Sequence, residues 1–298
     1  MFIVKYEKHI FNHILGGAAV TEEIIPKYKF SRASYVLSLL RPKIFTDLEL
    51  KKHGLKVHLR DPSSYTPIRP DLQKPGGPTS LTLGMCGKMN EEQISQFSER
   101  DAKKYVEYEE ELEKFVKAVD PLLDHAAVDV KALSEASIFE KIRILRSNWH
   151  LLESGKVLGP TAGAFYELMT APTTKILEKW FESEPLKATL ATDSCIGAMI
   201  SPETPGSGHV LLHHVMGELE GIRGAWGYPE GGMGAVSGAI AKSAQASGAH
   251  IFTSSPVSKI TTATSGEANG LILENGMEVK GKIVLSNATP EVTFNRYI

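Results

Sequence analysis

The chain has 298 residues, 42% of them hydrophobic and 23% charged, with Lys+Arg 33 set against Asp+Glu 35 for a net charge of −2. That balance gives no basic surface for a nucleic acid and no polyanionic tail. The longest stretch without Asp, Glu, Lys or Arg runs from Ser243 to Ser258 and is broken by Pro256, so no transmembrane segment is expected.

Phe2 to Tyr6 is β-branched and aromatic and reads as a strand leading toward Gly16-Gly17. Asp47 to His53, closed by Gly54, reads as a short helix, and Leu55 to Leu59 alternates as a strand does. Prolines 62, 67, 70, 75 and 78 with Gly76-Gly77 predict a loop and a domain boundary. From Glu91 to Val119, the residues Ile94, Phe97, Tyr105, Tyr108, Leu112, Phe115 and Val119 recur at helical spacing. Further helices are expected at about 137–155, 161–170, 173–181, 185–200 and 208–217, punctuated by Pro160, Pro172, Pro185 and Pro202. A small-residue helix follows from about Ala235 to Ser247. Strand-like runs then come at His250–Thr253, Val257–Thr261 and Gly270–Leu273, with a hairpin signal at Asn275-Gly276.

The expected fold class is therefore α/β, with a mainly α-helical insertion. Its parts are 1–60, 61–225 and 226–298.

Gly16-Gly17 after a strand could let backbone N–H groups approach a pyrophosphate, or could form a simple turn, which is the commoner role of such a pair. Gly231 to Gly234 before a helix offers the same two readings, anion binding or close helix–sheet packing. His209, His213, His214 and Glu218 share helical spacing that a metal could use, although surface or core histidines are more usual there. Cys86 and Cys195 form neither a CxxC dithiol nor a zinc spacing, and a reducing compartment suits them. There is no GxSxG elbow and no P-loop. Met1 to Leu15 lacks the apolar core of a signal peptide and the arginines of a transit peptide.

Five segments carry a more specific signal: GGAAVTEE (16–23), FSRASY (30–35), WFESEPLKATLATD (180–193), PGSG with HHVMG (205–217) and GAWGYPEGGMG (224–234). Together, across about residues 14 to 290, the sequence resembles the phytoene desaturase-like branch of FAD-dependent oxidoreductases, related to the amine oxidases. The resemblance implies a partial FAD/NAD(P)-binding Rossmann-like domain carrying an inserted helical substrate domain. By that resemblance Gly16 and Gly17 match the family's Gly-Gly pair, and Glu7 is the candidate ribose carboxylate. Arg32, Ala33 and Ser34 match the segment that passes the flavin ring, and Val257 the position whose backbone meets adenine. Gly231 and Gly232 match a turn at the domain junction.

The cofactor implied is FAD, with hydride transfer from a small apolar substrate to the flavin, and no catalytic side chain is nominated. The family's first GxGxxG and its closing flavin-binding motif have no counterpart here, which predicts a fragment truncated at both ends. The compartment implied is the mitochondrial matrix, with a mitochondrial protein partner possible. The rival readings are a non-catalytic interaction fragment that does not bind FAD and a His-based metal enzyme.

Overall fold

The computed structural model describes residues 2–4 and 14–298. By internal contact the chain divides into two compact units, one formed by both chain ends (Met1–Leu59 with Gly227–Ile298) and one by Arg60–Trp226. Helices and strands are mixed, with the helices concentrated in the second unit.

In the unit formed by the chain ends, Phe2–Val4 pairs in parallel with His250–Phe252, the strand that follows the Met233–Ala246 helix. Thr21–Ile25 and Tyr28–Ser31 form an antiparallel hairpin turning at Lys27, whose φ is 72°. Val57–Leu59 pairs antiparallel with Gly227–Pro229. Val257–Thr262, Ala268–Leu273 and Glu278–Lys280 build a three-stranded meander. Asn275-Gly276 supplies its tight turn, and Gly276 takes a φ of 84° that a side chain would resist. Val257, Ile260, Leu273 and Tyr297 form the apolar cluster of this sheet. Among the described residues the strands make small separate sheets, and a continuous parallel sheet of Rossmann type is not assembled from them.

The Arg60–Trp226 unit is built on the long Glu99–Leu123 helix, which buries Tyr105, Tyr108, Leu112, Phe115 and Val116 along one stripe. Leu168, Ile176, Leu177, Phe181, Leu186, Leu211 and Leu212 from later helices close the same cluster. Tyr108 meets Phe181 edge-on at 5.2 Å and Trp180 at 5.7 Å between ring centroids, geometry that adds to simple area burial.

Several sequence expectations are corrected. The helix expected at Asp47–His53 lies earlier, at Pro42–Asp47. Pro42 fixes the backbone at its first position, while Glu49, with a φ of 47°, stops the helix from continuing. The proline-rich stretch is not all loop: Ser64–Pro67 pairs antiparallel with Ser80–Leu83. The helix expected from Glu91 to Val119 is two, Gly87–Ser95 and Glu99–Leu123. They part at Ser98, whose hydroxyl accepts the Asp101 N–H as an N-cap. The stretch at 185–200 is helical only over Glu184–Ala191, followed by the 3-10 turn Thr192–Ser194. The Thr21–Ser31 hairpin was not foreseen, because its charged and aromatic residues lack clean alternation.

Candidate functional site

Gly16 and Gly17 form a turn with φ values of 127° and 59°, a backbone region that L side chains avoid. A Cβ on Gly16 would sit 2.2 Å from the Ala19 carbonyl oxygen and 2.6 Å from Ser237 Oγ. The Ser237 hydroxyl donates to that same Ala19 carbonyl at 2.8 Å. The turn is thus pinned to the Met233–Ala246 helix.

The start of that helix explains Gly231–Gly234. The Met233 N–H donates to Ser31 Oγ at 3.0 Å and the Gly234 N–H to Thr21 Oγ1 at 2.9 Å. Side chains on Gly232 or Gly234 would collide with Thr21 at 2.4 and 2.7 Å. Of the two readings this segment allowed, the structure gives helix–sheet packing, because two of the N–H groups an anion would need are already taken by hydroxyls.

The structure brings Gly16, Gly17 and the segment Arg32–Ser34 to this junction, since Arg32 directly follows Ser31 and its N–H donates to the Val20 carbonyl at 3.1 Å. The Arg32 guanidinium pairs with Glu22 at 3.3 Å. Ala33 is exposed, and the Ser34 hydroxyl donates to the Val36 carbonyl at 3.0 Å. Val257 belongs to the separate meander sheet, opposite Leu273 and buried. Glu7 lies outside the described residues.

Tested against a dinucleotide, these groups do not form a phosphate cradle. The space left by the missing Cβ of Gly16 and of Gly232 is filled by the chain's own atoms, and the Arg32 cation already has a carboxylate partner. They do not fit FAD by themselves, and no reaction step is assigned through it. Thr21, Ser31 and Ser237, which organise the junction, carry no signal in the sequence, since a lone hydroxyl more than 200 residues from its partner is indistinguishable from any other.

The helical unit holds a cavity of about 270 Å³ with walls from Tyr108, Leu112, Phe115, Leu168, Ile176 and Trp180. Glu111, Glu167 and Lys179 supply its polar atoms. Glu167 is paired with both Lys179 and Lys175, and the lysine hydrogen bonds hold its carboxyl below the usual range. Glu111 is pushed the other way, upward, by burial. The shape and lining suit a small, mostly apolar guest.

A polar group in the same unit was missed from sequence. The Tyr105 hydroxyl is hydrogen-bonded to the Glu109 carboxyl, and burial raises both. Burial also raises Asp193, against the opposing pull of His214 and Arg60. Tyr105, Tyr108 and Glu109 share one helix at i, i+3 and i+4, so the spacing was visible; that Asp193, itself facing His214, acts on both tyrosines was not.

His214 is buried, with Nδ1 2.9 Å from the Val210 carbonyl and its ring stacked on Trp226 at 5.9 Å. Burial lowers His213, helped by its neighbours His214 and His209. Among the described residues, no three or more His, Cys, Asp or Glu side chains converge as metal ligands would. Cys86 and Cys195 are free thiols.

No family model matches the chain. Over 284 residues it is 58% identical to pyridine nucleotide-disulfide oxidoreductase domain-containing protein 2 of Rattus norvegicus, a match that covers 95% of this chain and 48% of that protein. The Mus musculus protein of the same name is 56% identical over 282 residues, with the same shares covered. An uncharacterized protein of Mycobacterium tuberculosis is 27% identical over 290 residues, 93% of this chain and 48% of its own. Among solved structures, an oxidoreductase from Methanosarcina mazei aligns with a TM-score of 0.47 at 16% identity, over 92% of this chain and 51% of that one. The chain spans about half the length of the curated relatives it matches. With this identity along nearly all of its residues, it belongs to the family of pyridine nucleotide-disulfide oxidoreductase domain-containing protein 2.

Proposed function

We propose that the chain is part of an FAD-dependent oxidoreductase that takes hydride from a small apolar substrate. The observation that carries this reading is the 58% identity to a protein named for a pyridine nucleotide-disulfide oxidoreductase domain. Two features support it. The parallel pairing of Phe2–Val4 with His250–Phe252, next to the Met233–Ala246 helix, is a strand–helix–strand arrangement common in nucleotide-binding domains. The mostly apolar cavity lined by Trp180 and Phe115 offers an apolar wall for a substrate.

In such enzymes the flavin supplies the electron chemistry, while the protein orients the substrate and excludes water. The helical unit takes those two tasks in this reading. Disulfide exchange is not assigned to it, because Cys86 and Cys195 form no dithiol motif. The compartment we propose is the mitochondrial matrix, checked by protease protection of the protein in isolated mitochondria.

A version extended to the relatives' full length is expected to purify yellow, with one FAD per chain. A folded but colourless preparation overturns the flavin assignment. The 298-residue chain alone is expected to bind FAD weakly or not at all, because the groups at its glycine turn are already occupied. A flavin fluorescence titration giving sub-micromolar affinity overturns that second statement while leaving the first intact.

A further inference from the structure

The segment following the long helix contains a face the packing leaves outside. Ile138–Ser147 and Trp149–Leu158 are consecutive helices, and the first buries no residue at all. With successive side chains 100° apart, Ile138, Phe139, Ile142 and Leu145 fall within about a third of the first helix's circumference. An apolar stripe of this kind normally turns toward a core. Here it turns outward: these four are 70%, 80%, 53% and 60% exposed. Ile144, on the other side, is the half-buried one. The next helix continues the pattern with exposed Trp149 and Leu152.

The charges around this face are mostly cationic, with exposed Glu153, one turn after Trp149, the exception. Lys141 borders the stripe on one side and Arg143 on the other, Arg146 lies within it between Ile142 and Phe139, and all three are exposed. Lys156 lies over the Trp149 ring, its ammonium 5.4 Å from the centroid. The acidic residue of the first helix, Glu140, points away from the stripe and is engaged at the helix start, where it accepts from the Ser137 N–H at 2.9 Å and the Ser137 hydroxyl at 2.8 Å. An outward apolar stripe bordered by cations, in a chain whose net charge is −2, is a local inversion of the overall charge.

We propose that the Ile138–Leu152 face lies on the surface of an anionic phospholipid bilayer. The physical pattern is that of an interfacial helix: large apolar side chains enter the acyl boundary, lysines and arginines reach the phosphate layer, and a tryptophan sits between them. Among the described residues no helix is long and apolar enough to cross a membrane, so the contact is with one leaflet. Charge complementarity selects lipid over an apolar protein groove, which would leave the bordering cations without partners. This assignment is independent of the flavin reading.

Co-sedimentation of the 298-residue chain tests it, using phosphatidylcholine vesicles with and without about one-third phosphatidylglycerol. The chain is expected to pellet with the anionic vesicles, to do so about tenfold less with phosphatidylcholine alone, and to be released as salt is raised. The variant F139S/I142S/L145S changes exposed positions only. It is expected to keep its helical circular dichroism and to lose binding about tenfold or more. The pair K141E/R146E, a second and independent probe, is expected to abolish the preference for anionic vesicles without removing the apolar stripe. Failure of the native chain to pellet with anionic vesicles, or equal binding by both variants, overturns the proposal. So does a concentration-dependent dimer in light scattering that disappears in the triple variant while vesicle binding is absent, since the face then belongs to a second copy.

Discussion

Within Arg60–Trp226, Tyr108, Leu112 and Phe115 of one helix meet Leu168, Leu177, Phe181 and Leu212 of later ones in a single apolar cluster. The unit made from the chain ends also buries apolar side chains, Val20, Leu50, Leu55 and Val236 among them, but its long-range ties differ in kind. Its pieces are joined by specific polar contacts: Ser31 to Met233, Thr21 to Gly234 and Ala19 to Ser237, spanning 202, 213 and 218 residues. The contrast teaches that one chain can use two kinds of specification. In the helical unit, periodic burial is non-directional and tolerant of small changes. In the other, a few glycines and hydroxyls must meet in one geometry, and each is individually hard to replace.

The sharpest way to break this comparison is to find a polar group on which the helical unit depends. Asp101 is fully buried and accepts the N–H groups of Glu182 at 3.0 Å and Ser183 at 2.8 Å, tying the long helix to the start of Glu184–Ala191. Asp101→Ala leaves those donors without their carboxylate and is expected to cost about 3 kcal/mol. Urea unfolding followed by circular dichroism measures it, and a loss below about 1 kcal/mol would show that apolar packing alone holds the two segments together.

A smaller effect sharpens the other side. Gly16→Ala places a methyl 2.2 Å from the Ala19 carbonyl oxygen in a backbone conformation with φ at 127°. The expected loss is about 2 kcal/mol. Hydrogen exchange is expected to speed up in the Met233–Ala246 helix and to stay unchanged along Glu99–Leu123, and equal acceleration in both would contradict the division into two units.

The smallest effect is a pH slope. Burial raises the Glu109 and Asp193 carboxyls above their unfolded values. Their ionised forms are therefore the less favourable ones in the fold, and the native state binds more protons than the unfolded one. Stability consequently rises as pH falls from neutral through the raised values, and the gain is complete below the ordinary carboxylate range. Asp193→Asn is expected to flatten part of that slope in thermal melts between neutral and weakly acidic pH. An unchanged slope would locate the effect elsewhere.

Much of the helical unit was legible because its signal is local. The spacing from Ile94 to Val119 announced a buried stripe, and Pro172 and Pro185 bracketed the helices that meet it. The break at Ser98 was hidden, since Phe97 and Ser98 do not interrupt the apolar count although the serine caps a new helix. The Asn275-Gly276 turn was legible for the same local reason. Thr21 and Ser31 were not, because their function is defined only by a helix that begins more than 200 residues later. For the candidate site the glycines were visible as glycines, but whether their open side faced a ligand or the chain itself depended on Ala19 and Ser237.

The hydroxyl contacts of Thr21 and Ser31 also set an order of events during synthesis. At about 5–20 residues per second, the ribosome delivers Met233 roughly 10 to 40 s after the hairpin has emerged. The entire Arg60–Trp226 segment leaves the tunnel in that interval and can settle first. Through it the hairpin waits with Ile24, Ile25, Tyr28 and Phe30 still exposed in the finished fold, a sticky nascent strand pair whose partner has yet to be translated. Slowed elongation across Arg60–Trp226 is therefore expected to lower the soluble yield, and a holdase that shields the hairpin to restore it.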